Sequence, residues 1–194
     1  MSERVQITEP ESLWVCLHDG YITSLDSDLM ARTLTLVVDA PYHWDFHKLA
    51  SETRFRIVGE NVRIAEAFDF EPWLGATEPS RETPWKDAQE QRMSDYQKGR
   101  LISSDWTAFL AQVKVPDAYQ VMSAELTNNQ LFTILELGVM GDPDYYTVRI
   151  HAERFRFYVG KRELLLKDFQ DFGDMYWEHF AQNSKATSAD NQSS

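Results

Sequence analysis

Short runs in which an apolar side chain takes every second place recur along this chain, and they constrain its fold more than any other feature. Thr33-Leu34-Thr35-Leu36-Val37-Val38, Arg54-Phe55-Arg56-Ile57-Val58 and Arg154-Phe155-Arg156-Phe157-Tyr158-Val159 all follow this two-residue period. That period puts one side of each segment on a core and the other toward solvent, so each predicts a half-buried β-strand. Turn chemistry falls between them. Asp19-Gly20, Gly59-Glu60-Asn61, Asn128-Asn129, Gly141-Asp142-Pro143-Asp144 and Gly160-Lys161 supply residues that tolerate reversal of the backbone.

Taken in order, Leu13-Trp14-Val15-Cys16-Leu17-His18 reads as a first strand that returns through Asp19-Gly20 into Tyr21-Ile22-Thr23-Ser24-Leu25. A strand at 33–38 follows and Pro41 ends it. Residues 54–58 and 62–65 read as a second hairpin across Gly59-Glu60-Asn61. The Pro-rich stretch 71–84 marks a surface connection. Helices are expected at 85–99 and from Ser104, where Trp106, Phe109, Leu110 and Val113 share one face. Strands resume at 119–127, 131–139, 145–151, 154–159 and 162–167, and a last helix over 171–182 would bury Phe172, Met175, Tyr176 and Phe180. The fold class is therefore α+β: one antiparallel sheet, flat or strongly curved, in two meanders, with central and C-terminal helices on one face. Residues 1–182 form one domain, and the Ser/Asn/Ala-rich residues 183–194 read as a disordered tail.

The likeness between residues 54–59 and 154–160, both alternating Arg with an apolar residue before a Gly, fits a duplication of two sheet halves, but any amphipathic hairpin strand shows the same pattern, so it reads as coincidence.

The chain carries 19 Lys and Arg against 31 Asp and Glu, a net charge of −12. Such a balance repels phosphate backbones and anionic membrane surfaces, so nucleic-acid and membrane partners are disfavoured; it is compatible with a basic protein or a bound cation, though its commonest meaning is solubility and by itself it selects no partner. The single cysteine, Cys16, forms no intramolecular disulfide. The N-terminal residues lack a secretory pattern, and no segment approaches ~18 consecutive apolar residues. The expected location is the cytoplasm.

Chemistry concentrates in residues 13–47, which hold three of the five histidines. In His43-Trp44-Asp45-Phe46-His47, a strand would separate the two imidazoles by ~13 Å, too far to share an ion, whereas a helical turn would make them neighbours and send Asp45 away. A divalent-metal site would then need His18 and Asp19 as well. The competing reading makes the same residues polar loop and turn groups beside core aromatics, with Asp19 bonding its local backbone. Nucleophilic catalysis finds little support, since Cys16 has no basic context and Gly-x-Ser-x-Gly is absent, and no phosphate-cradling glycine loop exists; a divalent metal is the one cofactor the residues suggest. Phe68, Phe70, Trp73, Tyr145 and Tyr146 are available either to the core or to a binding groove.

The run Trp14-Val15-Cys16-Leu17-His18-Asp19-Gly20-Tyr21-Ile22, continued by Asp28 and Arg32-Thr33-Leu34-Thr35-Leu36, resembles the opening of small bacterial proteins built on a His-Asp-Gly/Ala hairpin. Some of these are immunity proteins of polymorphic toxin systems and others have no assigned function. The resemblance covers about 25 residues and implies a cytoplasmic α+β protein that acts by binding a partner; it transfers no catalytic residue. Three functions are thus expected in turn: a non-enzymatic, immunity-like binding module for a basic partner, a metal-dependent hydrolase using His18, His43 and His47, and a carrier of a small apolar ligand on a sheet face. Oligomeric state is open.

Overall fold

The computed structural model describes residues 10–28, 30–69, 100–103, 119–129, 131–141 and 145–190. Their strands are β1 (Glu11–Ser12), β2 (Tyr21–Asp28), β3 (Thr33–Asp39), β4 (Phe55–Glu60), β5 (Ile64–Asp69), β6 (Arg100–Ser103), β7 (Gln120–Asn129), β8 (Phe132–Met140), β9 (Tyr145–Ala152), β10 (Arg154–Val159) and β11 (Arg162–Leu164). The helices are α1 (Trp14–Leu17), α2 (Pro41–His47) and α3 (Leu166–Asp190). The helices expected at 85–99 and from Ser104, the connection 71–84, and Phe70 and Trp73 lie outside the described residues, as do the side chains of Phe68 and Tyr145.

The fold is α+β. One open antiparallel sheet has the strand order β11-β10-β4-β3-β2-β7-β8-β9-β5-β6, with β1 attached to β7. Alternation sets its faces. Leu34, Leu36 and Val38 align with Gly59, Ile57 and Phe55, and Phe157 aligns with Ile57, so these side chains share the inner face. In the other half, Leu126 opposes Leu135, which opposes Ile150, and Leu137 opposes Val148. Both inner faces, together with Leu13, Leu17, Trp44 and Phe169 from or beside the helices, form a single buried cluster. Full burial of each such side chain contributes ~1.5–3 kcal/mol. The β4/β10 end of the strand order also meets the β5/β9 end, which a flat sheet could not do, so the sheet is curved.

Two features bend it. Between the halves, β2 meets β7 through the single pair Tyr21↔Gln120. At the other junction the chain crosses from one half to the other twice. Residues 54–65 are not a hairpin: β4 pairs with β3 and β10, and β5 pairs with β9 and β6. The Gly59-Glu60-Asn61 signal marks a change of direction, with Asn61 at φ 51, and not a reversal. The return crossing from β9 to β10 runs beside it, joined by Glu153 N–H to the Glu60 carbonyl at 3.0 Å and Arg63 N–H to the His151 carbonyl at 2.9 Å. Gly59 leaves room at the corner, since a Cβ there would lie 3.0 Å from the Phe155 ring. The two similar Arg-alternating segments are thus direct partners, β4 against β10.

Other boundaries differ from expectation. Residues 13–18 are not a strand but the helical turn α1, fixed where Leu13 N–H meets the Ala124 carbonyl at 2.9 Å. The expected first hairpin does not form. Strand β7 runs through Asn129, and the residues at 128 and 129 continue the ladder instead of turning. The last strand stops at Leu164, where β11 gives way to α3, which continues to Asp190. Gly160 at φ 58 does turn β10 into β11. On α3, Phe169 is fully buried, Phe172, Tyr176 and Trp177 are half-buried, and Met175 and Phe180 are exposed. No described helix is long and apolar enough to cross a membrane.

Candidate functional site

Helix α2 begins because Pro41 cannot continue the β3 ladder and suits the first helical position. Its start is fixed by Trp44, whose indole N–H donates to Asp39 Oδ1 at 2.9 Å, while Arg54 lies 3.2 Å from the other oxygen of Asp39. Lys48 ends the helix in the left-handed region at φ 55. The segment is therefore helical, with His43 and His47 one turn apart, ring centroids 6.1 Å from one another, and Asp45 exposed on another side.

Helix α1 is one turn long, so its own N–H groups leave the Val15 carbonyl free to accept from side chains. Two donors converge on it. His43 Nε2–H lies 3.1 Å away and Trp177 Nε1–H lies 2.8 Å away. One helix further, His47 Nε2–H donates to the Phe172 carbonyl at 3.0 Å, and its ring stacks on Phe172 with centroids 3.7 Å apart. The Cys16 thiol donates to the Phe169 carbonyl at 2.8 Å. Gly173 makes the α1–α3 contact possible: a Cβ there would sit 2.6 Å from the Val15 oxygen and 2.8 Å from Cys16 Sγ.

Burial governs the protonation of this cluster. His43 is fully buried, and loss of solvation pushes its pKa down to about 4, against the opposing pull of its bond to the Val15 carbonyl. Burial also lowers His47. The Cys16 thiol is pushed up by burial, which keeps it un-ionised. Tyr42 is raised chiefly by burial and then by Asp19; its hydroxyl donates to the His18 carbonyl.

His18 and Asp19 lie at the far end of α1. The His18 ring stacks on Trp14 at 4.5 Å, with Trp177 at 6.2 Å, and its Nε2 is 3.6 Å from Asp19 Oδ2. Asp19 does not bond its local backbone. It takes φ 60, and its Oδ1 accepts from Gln120 Nε2 at 3.0 Å, across the junction between β2 and β7.

The structure thus pairs His43 with His47 and, separately, His18 with Asp19; Tyr42 lies between the two pairs, 4.6 Å from the His43 ring. The Nδ1 atoms of His18 and His43 are buried without a hydrogen-bond partner. Among the described residues, no group of three or more His, Cys, Asp or Glu side chains is placed to hold a metal ion.

Comparison with protein-family models, with curated proteins and with solved structures gives no significant match. Of the residues that carry the resemblance noted above, Trp14 to Asp19 form the helical turn and its exit and not the strand of a hairpin. Reading the sequence did not find Trp177, Gly173 or Gln120 as members of this cluster. Trp177 lies at i+4 from the small Gly173, which in turn lies at i+4 from Phe169, a spacing that marks one helix face and was the available signal.

Proposed function

We propose that this chain is a non-enzymatic protein-binding module, immunity-like in that it acts by engaging a basic protein partner. The observation that carries this reading is how charge divides between the two sides of the sheet. On the outer side of β4, β10 and β11, arginines are matched within the molecule: Arg154 and Arg156 pair with Glu60, and Arg156 pairs with Glu163 at 2.6 Å. The helix layer carries more carboxylates than cations. Residues 11–19 hold Glu11 and Asp19, α2 holds Asp45 with Lys48 after it, and residues 166–183 hold Asp168, Asp171, Asp174 and Glu178 against Lys167. Asp171 is paired with Lys167 at 2.7 Å.

A surface so biased raises the local concentration of cationic partners and speeds encounter. Of the three imidazoles that hydrolytic chemistry would use, His43 and His47 are engaged with the backbone carbonyls of Val15 and Phe172, which joins the three helices. The test is capture from cell extract with the purified chain as bait. A specific cationic protein should be retained at ~0.1 M salt and released near ~0.5 M. Retention of no specific protein would overturn the reading.

A further inference from the structure

The helix layer carries aromatic surface as well as negative charge. Trp14 and Trp177 pack with ring centroids 4.8 Å apart and their planes tilted by 31°, both half-buried, and the Phe180 ring lies 6.0 Å from Trp177 while remaining 53% exposed. Exposed carboxylates stand beside it along the chain: Asp174 precedes Trp177 on α3 by three residues and Glu178 follows it, and Asp19, at the exit of α1, has a side chain 48% exposed. An apolar partner would leave these carboxylates desolvated and unmatched. A guanidinium fits both components, because its flat face stacks on an indole while its edge donates to carboxylates.

The molecule already uses this arrangement elsewhere. On the outer sheet face the Arg56 guanidinium lies 4.2 Å above the Tyr158 ring, beside the Arg156–Glu163 pair. The helix layer has the aromatic rings and the carboxylates, and its three segments contain no arginine.

We propose that this face, centred on Trp14 and Trp177 and continued by Phe180, is the docking surface for an arginine-bearing segment of the partner protein. The assignment rests on the binding-module reading and adds to it where, and through which residue type, the partner is held.

The test uses the full chain and a short labelled peptide of alternating arginine and serine, with a lysine-for-arginine version as comparison, followed by fluorescence anisotropy at ~0.1 M salt. Phe180→Ser removes exposed aromatic surface, and the double variant Asp174→Asn/Glu178→Gln removes two charges. Asp26→Asn/Glu125→Gln removes two charges from exposed positions on the outer sheet face. Urea midpoints equal to that of the parent show that each variant is folded. The arginine peptide should bind several-fold more tightly than the lysine peptide, and both helix-face variants should weaken it by about tenfold, with less than about twofold loss for the sheet-face pair. Equal weakening by the two charge-removing pairs, or equal binding of the two peptides, would overturn the docking surface. The two claims fail separately. A specific cationic protein captured equally by the parent and by Phe180→Ser overturns the surface and leaves the binding module standing, whereas capture of none overturns the module itself.

Discussion

The Nε2 of His43 lies 3.1 Å from the carbonyl oxygen of Val15, a bond that ties α2 to α1 across 28 positions of sequence. Because a carbonyl only accepts, this bond requires the Nε2–H tautomer and leaves the buried Nδ1 as an unprotonated acceptor. Adding a proton at Nδ1 would place an imidazolium in the core.

Stability should therefore fall on acidification. The unfolded chain binds a proton at His43 near the ordinary value of 6.5, whereas the folded chain resists protonation until about 4. Between those values the unfolded state binds more protons, so stability is fully present above 6.5 and is lost progressively as pH falls toward 4. The loss from His43 alone is roughly 3 kcal/mol. Burial of His47 acts in the same direction. Urea unfolding from pH 7.5 to 4.5 should reveal the decline, and His43→Gln, which keeps a donor without a titrating ring, should flatten it. An unchanged slope in the variant would exclude His43 as its source.

Gly173 should tolerate no side chain. A methyl group there meets the Val15 oxygen and Cys16 Sγ inside their contact distances, and both belong to the rigid turn of α1. Gly173→Ala should cost ~1–3 kcal/mol through displacement of α3, despite alanine's better helix propensity. A midpoint equal to or above that of the parent would show that the α1–α3 contact is looser than described.

The crossing at Asn61 makes a conformational prediction. Its φ of 51 is left-handed, and its amide donates to Glu153 Oε2 at 2.9 Å across the two crossings. Asn61→Ala should destabilise by ~1–2 kcal/mol because alanine disfavours that region, while Asn61→Gly should lose less. Equal stability of the alanine variant and the parent would contradict a left-handed corner.

How far these features were legible in the sequence depends on how local their causes are. Strands β3 and β10 and the turn at Gly160 follow from alternation and turn chemistry within a few residues. Helix α1 does not: Trp14-Val15-Cys16-Leu17 favours a strand by composition, and its helical turn is imposed by the Ala124 carbonyl and the backbone of α3. Gly59-Glu60-Asn61 shows that the chain changes direction, but whether it reverses onto its neighbour depends on β9 and β10, some 90 residues away. The sequence placed His43 and His47 one turn apart if helical. It could not show that their acceptors are the carbonyls of Val15 and Phe172, because a backbone oxygen has no residue type. The aromatic and acidic character of α3 was readable; its position against Trp14 was not.

The assignment of the α2 histidines to structure, on which the proposed role of the helix-layer surface rests, is tested most directly by long-range ¹H–¹⁵N correlation of the imidazole rings near neutral pH, with and without added zinc. His43 and His47 should both appear as neutral Nε2–H tautomers, and zinc should leave both unchanged. Loss of the Nε2 proton from either ring on zinc addition, with a shift of that nitrogen, would contradict the account and return these residues to metal chemistry.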